Sequence, residues 1–175
     1  MQLSLDGFVA GPNGEMDWMI FNWDDELKQY VSELTAPVDR IFLGRKLAQG
    51  FIPYWAANPE QEGADKINSA KKVVFTRTLD ESEWSNTSLA KGDLAEEVTK
   101  LKNEEGGDII AYGGGNFVSN LIKGALIDEF YLFINPIILG KGMTIFNELD
   151  NKQALTLVKA TTFQCGIICL HYQKI

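Results

Sequence analysis

The sequence is poor in the groups from which many catalytic centres are built. Its 175 residues hold a single histidine, His171, and two cysteines, Cys165 and Cys169. A zinc site draws on three or four nitrogen or sulfur ligands, and a thiol nucleophile needs a base beside it, so this inventory argues against both and no metal is expected. The cysteines are four apart in a segment that reads as a strand, which separates them by ~13 Å. A disulfide needs Cα atoms within ~7 Å, so they read as unpaired, buried small hydrophobes in a reducing cytoplasm. Positive charge is also short: 16 Lys and Arg against 24 Asp and Glu give a net charge of −8. Such a field repels polyphosphate chains and excludes a nucleic-acid-binding surface. No apolar run approaches the ~18–20 residues of a membrane helix, and no basic segment leads into an apolar one at the N-terminus. The expectation is a cytoplasmic protein with small-molecule partners, no nucleic acid and no membrane. Asn86-Thr87-Ser88 is formally a glycosylation sequon but in such a chain reads as a loop or strand edge.

What is present suffices for one core. Hydrophobic residues make up 45% and charged residues 23%, with no repeat, low-complexity tract or linker, so 1–175 reads as a single domain. Residues 3–10 read as a strand, followed by the turn Gly11-Pro12-Asn13-Gly14 and a loop to about Phe21. Asn22 fits an N-cap, Asp24, Asp25 and Glu26 suit a helix's positive first turn, and Leu27, Tyr30, Val31 and Leu34 recur with helical spacing up to Pro37. Strands at 38–43, 72–76 and 108–112 then alternate with a helix start at 44–49 and helices at 93–102 and 116–123. A nearly unbroken apolar run at 129–139 reads as a strand buried on both sides. The end differs, because 154–162 and 166–173 are separated only by Phe163-Gln164-Cys165 and should form an antiparallel hairpin. The fold class is α/β: a mixed, mainly parallel sheet, helices on both faces, and an antiparallel C-terminal hairpin.

In open α/β sheets, ligands bind outside the carboxyl ends of the strands. Three turns there carry unusual residues. Tyr112-Gly113-Gly114-Gly115-Asn116-Phe117 puts three glycines between a strand and a helix, letting backbone approach a ligand while the helix start presents N–H groups to a phosphate. It is not a G-x-G-x-x-G fingerprint, since Val118 falls where the last glycine belongs, and Gly140-Lys141-Gly142 lacks the hydroxyl of a P-loop. Leu43-Gly44-Arg45-Lys46-Leu47 sets two cations at a helix start, against the helix dipole unless an anion joins them. Thr76-Arg77-Thr78 adds a cation flanked by hydroxyls. Only three arginines occur in the chain, and two of them, Arg45 and Arg77, sit in these turns. The combination implies a local positive site for one phosphorylated cofactor.

These residues resemble a known family. Ser4-Leu5-Asp6-Gly7-Phe8-Val9-Ala10-Gly11, Met16-Asp17-Trp18, Leu43-Gly44-Arg45-Lys46, Thr76-Arg77-Thr78-Leu79, Tyr112-Gly113-Gly114-Gly115 and Leu126-Ile127-Asp128-Glu129 follow the order seen in the riboflavin-biosynthesis reductase C-terminal domain family, which shares the dihydrofolate reductase fold. The resemblance covers nearly the whole chain, though its first strand looks short against the family. It implies NADPH as cofactor, with Gly44, Arg45, Lys46 and Leu47 and Thr76, Arg77 and Thr78 around the adenosine ribose and its 2′-phosphate. Gly113, Gly114, Gly115, Asn116 and Phe117 would follow the pyrophosphate, and Ala10 would join the cofactor site. It further implies a cis peptide at Gly113-Gly114, a mobile loop over 11–18 covering nicotinamide and substrate, substrate contacts from Ser4, Trp18 and Tyr112, and a homodimer. Three positions depart from the related reductases. Leu47 replaces a hydroxyl-bearing threonine, Trp23 stands where dihydrofolate reductases place a pterin-binding acid, and Tyr112 stands where riboflavin-pathway reductases often have glutamate.

Hydride transfer needs no protein nucleophile, which suits the missing triad and metal ligands, but reduction of a C=N or C=O bond needs a proton. The candidates are Asp6, Asp24, Asp25 and Tyr112, with Asp6 and Asp25 carried as catalytic. Asp6 also has a structural alternative, since an Asp before Gly commonly closes a turn. Trp18, Trp23, Phe51, Tyr54 and Trp55 could wall a flat ligand or simply fill core. The expected activity is NADPH-dependent reduction of a small heteroaromatic or imine-like compound, of pteridine or 5-amino-6-ribosylaminouracil type. The alternatives are a nucleotide-binding protein without turnover and a flavin- or nucleotide-dependent regulator.

Overall fold

The computed structural model describes every residue except Glu148. Its contacts fall into two compact units, 1–31 with 119–175 and 32–118. In the second unit, strand β3 (Val38–Gly44) lies at the centre of an all-parallel sheet in the order β5-β4-β3-β6, with β4 at Lys71–Phe75, β5 at Thr87–Ala90 and β6 at Asp108–Gly113. Between strands run helices α2 (Arg45–Ala57), α3 (Ala64–Ser69) and α4 (Leu94–Lys102). Parallel strands cannot be joined by tight hairpins, so the intervening segments cross over the sheet and cover it.

Successive side chains on a strand face opposite sides, and β3 shows it. Ile41 and Leu43 enter a cluster with Ala48 and Ile52 of α2, Ile67 of α3, Ala70 and Val74. Arg40 is 6% exposed and points the other way: it donates to the Leu101 carbonyl at 3.0 Å and pairs with Glu104 at 2.9 Å, tying β3 to the end of α4. Asp93 caps α4 by accepting from Ala95 N and Glu96 N. Lys72 is buried without a carboxylate: its ammonium donates to the Asn68 and Ala70 carbonyls at the end of α3, where the helix dipole welcomes a cation.

In the first unit, β1 (Gln2–Leu3), β7 (Glu129–Ile134), β10 (Ile168–Lys174) and β9 (Leu155–Thr162) form a mixed sheet in that order. β1 pairs parallel with β7, and β9 and β10 form the expected antiparallel hairpin. A two-stranded pair joins β2 (Phe8–Ala10) to β8 (Met143–Thr144). Helix α1 (Asp25–Thr35) begins in this unit, with Leu27 fully buried and Tyr30 edge-on to Phe133 and Phe163. Helix α5 (Gly115–Lys123) buries Val118, Leu121 and Ile122. No helix among the described residues is long and apolar enough to cross a membrane.

Several expected elements move. The strand at 3–10 is broken into β1 and β2 by a turn in which Ser4 O accepts from Gly7 N. The cap of α1 is Asp24 in place of Asn22: its Oδ1 accepts from Leu27 N at 2.8 Å. The strand expected at 129–139 stops at Ile134, and only Phe130 and Phe133 within it are buried. Cys165 lies in the hairpin turn and only Cys169 is in strand; both are free thiols. Helix α3 and strands β5 and β8 were not expected, being six residues or shorter, and α2 runs through Pro53. Thr87 and Ser88 do form part of an edge strand.

Because Ile41 is 1% exposed within the cluster between this sheet and helices α2 and α3, Ile41→Ala should destabilise the protein by about 2–5 kcal/mol. A urea titration would show a lower midpoint at unchanged slope, and an unchanged midpoint would show that this face of the sheet is not a packed core.

Candidate functional site

The three turns singled out by glycine and arginine follow β4, β3 and β6, which are direct neighbours in a parallel sheet. Shared strand direction puts their carboxyl ends on one edge, and the registers Gly44↔Phe75 and Leu43↔Gly113 align them. The edge is braced by aromatic contacts. Phe117 in the first turn of α5 meets Phe75 at 4.9 Å between ring centroids, and Phe75 meets Phe42 at 5.0 Å. A Cβ on Gly44 would lie 2.8 Å from the Phe117 Cβ, so the protein's own packing already requires glycine there.

Gly114 is different. A Cβ built on it would meet nothing nearer than Leu47 Cβ at 3.9 Å. Nothing in the protein's packing demands a glycine at that point, and the space is what a ligand approaching bare backbone would fill. The Gly113-Gly114 peptide is cis, as the family resemblance implies. Gly114 O accepts from Val118 N, which makes Gly114 the cap of α5, and a glycine cap has no side-chain oxygen to offer the first-turn N–H groups. Gly44 likewise caps α2 without a side-chain hydrogen bond, and no acidic residue occupies the first turn of α2. Two helix starts that follow adjoining strands and carry glycine at the cap position are suited to a diphosphate.

The cations complete this edge. Arg45 donates to Gln49 Oε1 at 3.4 Å, while Lys46 and Arg77 are exposed. Among the described residues none of the three has a carboxylate within salt-bridge distance. Buried Thr76 accepts from Thr78 N and Leu79 N, both at 3.1 Å, fixing the turn that carries Arg77. Tyr112 at the end of β6 packs on Phe51 at 5.3 Å, and Phe51 on Trp55 at 6.1 Å. Burial pushes the Tyr112 phenol above its ordinary value, so it stays protonated.

In the other unit, the residues expected at substrate or catalysis are held by their own backbone neighbours. Ser4 is fully buried; its hydroxyl donates to Asp6 Oδ1 at 2.7 Å and accepts from Phe8 N at 2.9 Å. Asp6 also accepts from Leu139 N at 3.1 Å and Gly140 N at 2.7 Å. Partial desolvation pushes its carboxyl upward, but the hydrogen bonds from Ser4, Leu139 and Gly140 outweigh that and hold it below its ordinary 3.8. It is an ionised anchor for the 137–140 segment, a poor state for a proton donor. Asp24 is similarly engaged, accepting from Leu27 N and from Cys165 N at 2.9 Å, and these bonds lower its pKa. Asp25 is exposed at the start of α1, 4.0 Å from Lys28. Ala10 pairs with Met143, and Trp18 donates its indole N–H to Glu15 O. Asn135, which sequence reasoning passed over, is 0% exposed and accepts from Ile20 N at 3.0 Å; its only signal was a polar residue inside an apolar run.

The model of the RibD C-terminal domain matches residues 1–169. The chain belongs to this family. A relative of the RibD C-terminal domain chain is the protein YyaP of Bacillus subtilis (strain 168), 34% identical over 177 residues, which span 98% of this chain and 91% of YyaP. Two solved structures share the dihydrofolate reductase-like fold. A Thermotoga maritima diaminohydroxyphosphoribosylaminopyrimidine deaminase/5-amino-6-(5-phosphoribosylamino)uracil reductase superposes with a TM-score of 0.70 at 17% identity, over 99% of this chain and 55% of that one. Enterococcus faecalis dihydrofolate reductase, complexed with NADP(H), gives 0.59 at 18% identity over 99% and 92%.

A group whose folded pKa is depressed adds stability above its unfolded value and loses it as pH falls through the folded one. Asp6→Ala should therefore flatten the acid limb of the pH–stability curve below the ordinary 3.8 of this carboxyl. An acid limb identical to that of the parent would show that the Asp6 carboxylate is not what holds the 137–140 segment.

Proposed function

We propose that this RibD C-terminal domain protein is an NADPH-dependent reductase that transfers hydride to a small heteroaromatic or imine-like substrate of pteridine or 5-amino-6-ribosylaminouracil type. The observation that carries the reading is the row of three turns on adjoining parallel strands, two of them helix starts with glycine at the cap, with Arg45 and Arg77 lacking carboxylate partners among the described residues. The fold shared with the Thermotoga and Enterococcus reductases supports it. Open space at Gly114 fits the cofactor. Gly113 to Phe117 would hold the pyrophosphate, Gly44 to Leu47 and Thr76 to Thr78 the adenosine ribose and 2′-phosphate, and Ala10 would join them. When bound, the reduced nicotinamide supplies the hydride; the chain binds and orients it and excludes water.

For the proton, Tyr112 is the best of the candidates, because its phenol is kept protonated while Asp6 and Asp24 are fixed as hydrogen-bond acceptors. That same commitment of the two acids favours a second reading, a nucleotide-binding protein of this fold without turnover. The partners proposed are a small-molecule substrate and, on the family resemblance, a second copy of the chain.

Following NADPH oxidation with a panel of reduced-pterin precursors and ribosylaminouracils separates the two readings: saturable binding without oxidation of any compound supports the second. Arg77→Ala should weaken NADPH by about tenfold, ~1.4 kcal/mol, with NADH unchanged; equal losses for both nucleotides would remove Arg77 from the 2′-phosphate. Gly114→Val should eliminate NADPH binding in a protein that still melts cooperatively, and unchanged affinity would place the phosphates elsewhere.

A further inference from the structure

Asn135 follows directly on β7 and is one of the few fully buried polar side chains in the protein. Its backbone N–H donates to Leu3 O at 2.8 Å, so it continues the pairing of β7 with β1. Its side-chain amide faces two ways. The Nδ2 group donates to Gln2 Oε1 at 3.0 Å and lies 3.4 Å from both the Leu3 and Phe133 carbonyls. The Oδ1 atom accepts from Ile20 N at 3.0 Å. Flipping the amide would turn its NH2 toward a donor and its oxygen toward three acceptors, so the surroundings permit one orientation.

The segment receiving this bond is the loop 11–23. Its other hydrogen bonds among the described residues are local: Gly11 N to Glu15 O, Gly14 N to Gly11 O, Met19 N to Met16 O, Trp23 N to Phe21 O, Asn13 N and Nδ2 to the Glu15 carboxylate, Trp18 Nε1 to Glu15 O and Trp23 Nε1 to Ile20 O. Ile20 thus bonds through its N–H to Asn135 and through its carbonyl to the Trp23 indole at 2.7 Å, halfway between Trp18 and Trp23. Among the described residues, the single hydrogen bond from this loop to a distant part of the chain ends on a buried amide. Losing the tie would free the loop and leave a buried acceptor unsatisfied, which disfavours release in the unsubstituted protein.

We propose that Asn135 is a positioning residue that holds the 11–23 loop in its working conformation through the Ile20 N–H. Its effect on turnover rests on the reductase reading and on the family resemblance that makes 11–18 a loop over nicotinamide and substrate; its effect on the loop does not. None of the residues of the phosphate-binding edge, 44–47, 76–78 and 113–117, is part of the loop.

The test compares Asn135→Ala with Ile20→Pro, which deletes the donor and leaves the Asn135 bonds to Gln2 in place, so that a folding defect in the first does not end the experiment. Amide exchange by mass spectrometry should show faster exchange across 16–23 in both variants. NADPH affinity should stay within about twofold of the parent while kcat/KM falls about ten- to a hundredfold, the scale of a misplaced positioning group. Unchanged exchange over 16–23 in both variants would overturn the tether. Released loops with unchanged kcat/KM, or an equal loss of NADPH affinity, would overturn its role in positioning. If the unsubstituted protein fails to oxidise NADPH with any compound of the pterin and ribosylaminouracil panel, the reductase reading fails and the loop's role in turnover with it, while the exchange measurement still decides the tether.

Discussion

A common direction of three neighbouring strands is the constraint on which the candidate site depends. In a parallel sheet each strand must end on the same edge, so β4, β3 and β6 deliver their turns side by side. Nothing in the turns alone would assemble them. The glycines at 44 and 114 then leave the starts of α2 and α5 without a side-chain cap, and a helix start without a cap retains its partial positive charge for a ligand. An acidic chain that concentrates two of its three arginines on this edge opposes its own net charge locally, and a bound phosphate is the simplest partner for that arrangement.

The two units divide the labour differently. In 32–118 the edge cations Arg45, Lys46 and Arg77 have no carboxylate within salt-bridge distance among the described residues, whereas in 1–31 with 119–175 the acids at the conspicuous Ser4-Leu5-Asp6-Gly7 motif and at Asp24 are consumed by backbone amides. Asp6 joins the first turn to the 137–140 segment and Asp24 joins the start of α1 to the hairpin turn at Cys165. A motif that marks a family can therefore be a structural joint. The phenol of Tyr112, raised by burial, is better placed to keep a proton than either carboxylate.

Much of the fold was legible because its signals are local and repeated. Alternating apolar strands and amphipathic helices, the triple glycine after β6 and the short link between β9 and β10 each constrain a few adjacent residues. The errors arise where a distant partner decides. Asn22 and Asp24 are equally good caps in isolation, and Asp24 prevails with a second acceptor bond to Cys165 N, 141 residues away. The apolar run at 129–139 hid a strand end, because Asn135 and Pro136 interrupt it and Asn135 is satisfied by Gln2, Leu3 and Ile20. Helix α3 is too short for periodicity to reveal. At the site, the glycine and arginine residues could be named from sequence, but the difference between Gly44, which packing requires, and Gly114, which it does not, needed coordinates.

The central claim is that a single reduced dinucleotide binds across all three turns at once. Hydrogen–deuterium exchange of the intact chain with and without NADPH measures this most directly. The account predicts that 44–47, 76–78 and 113–117 become protected together, at one saturating concentration. Protection confined to one of these segments, or none in folded protein at millimolar NADPH, would contradict it.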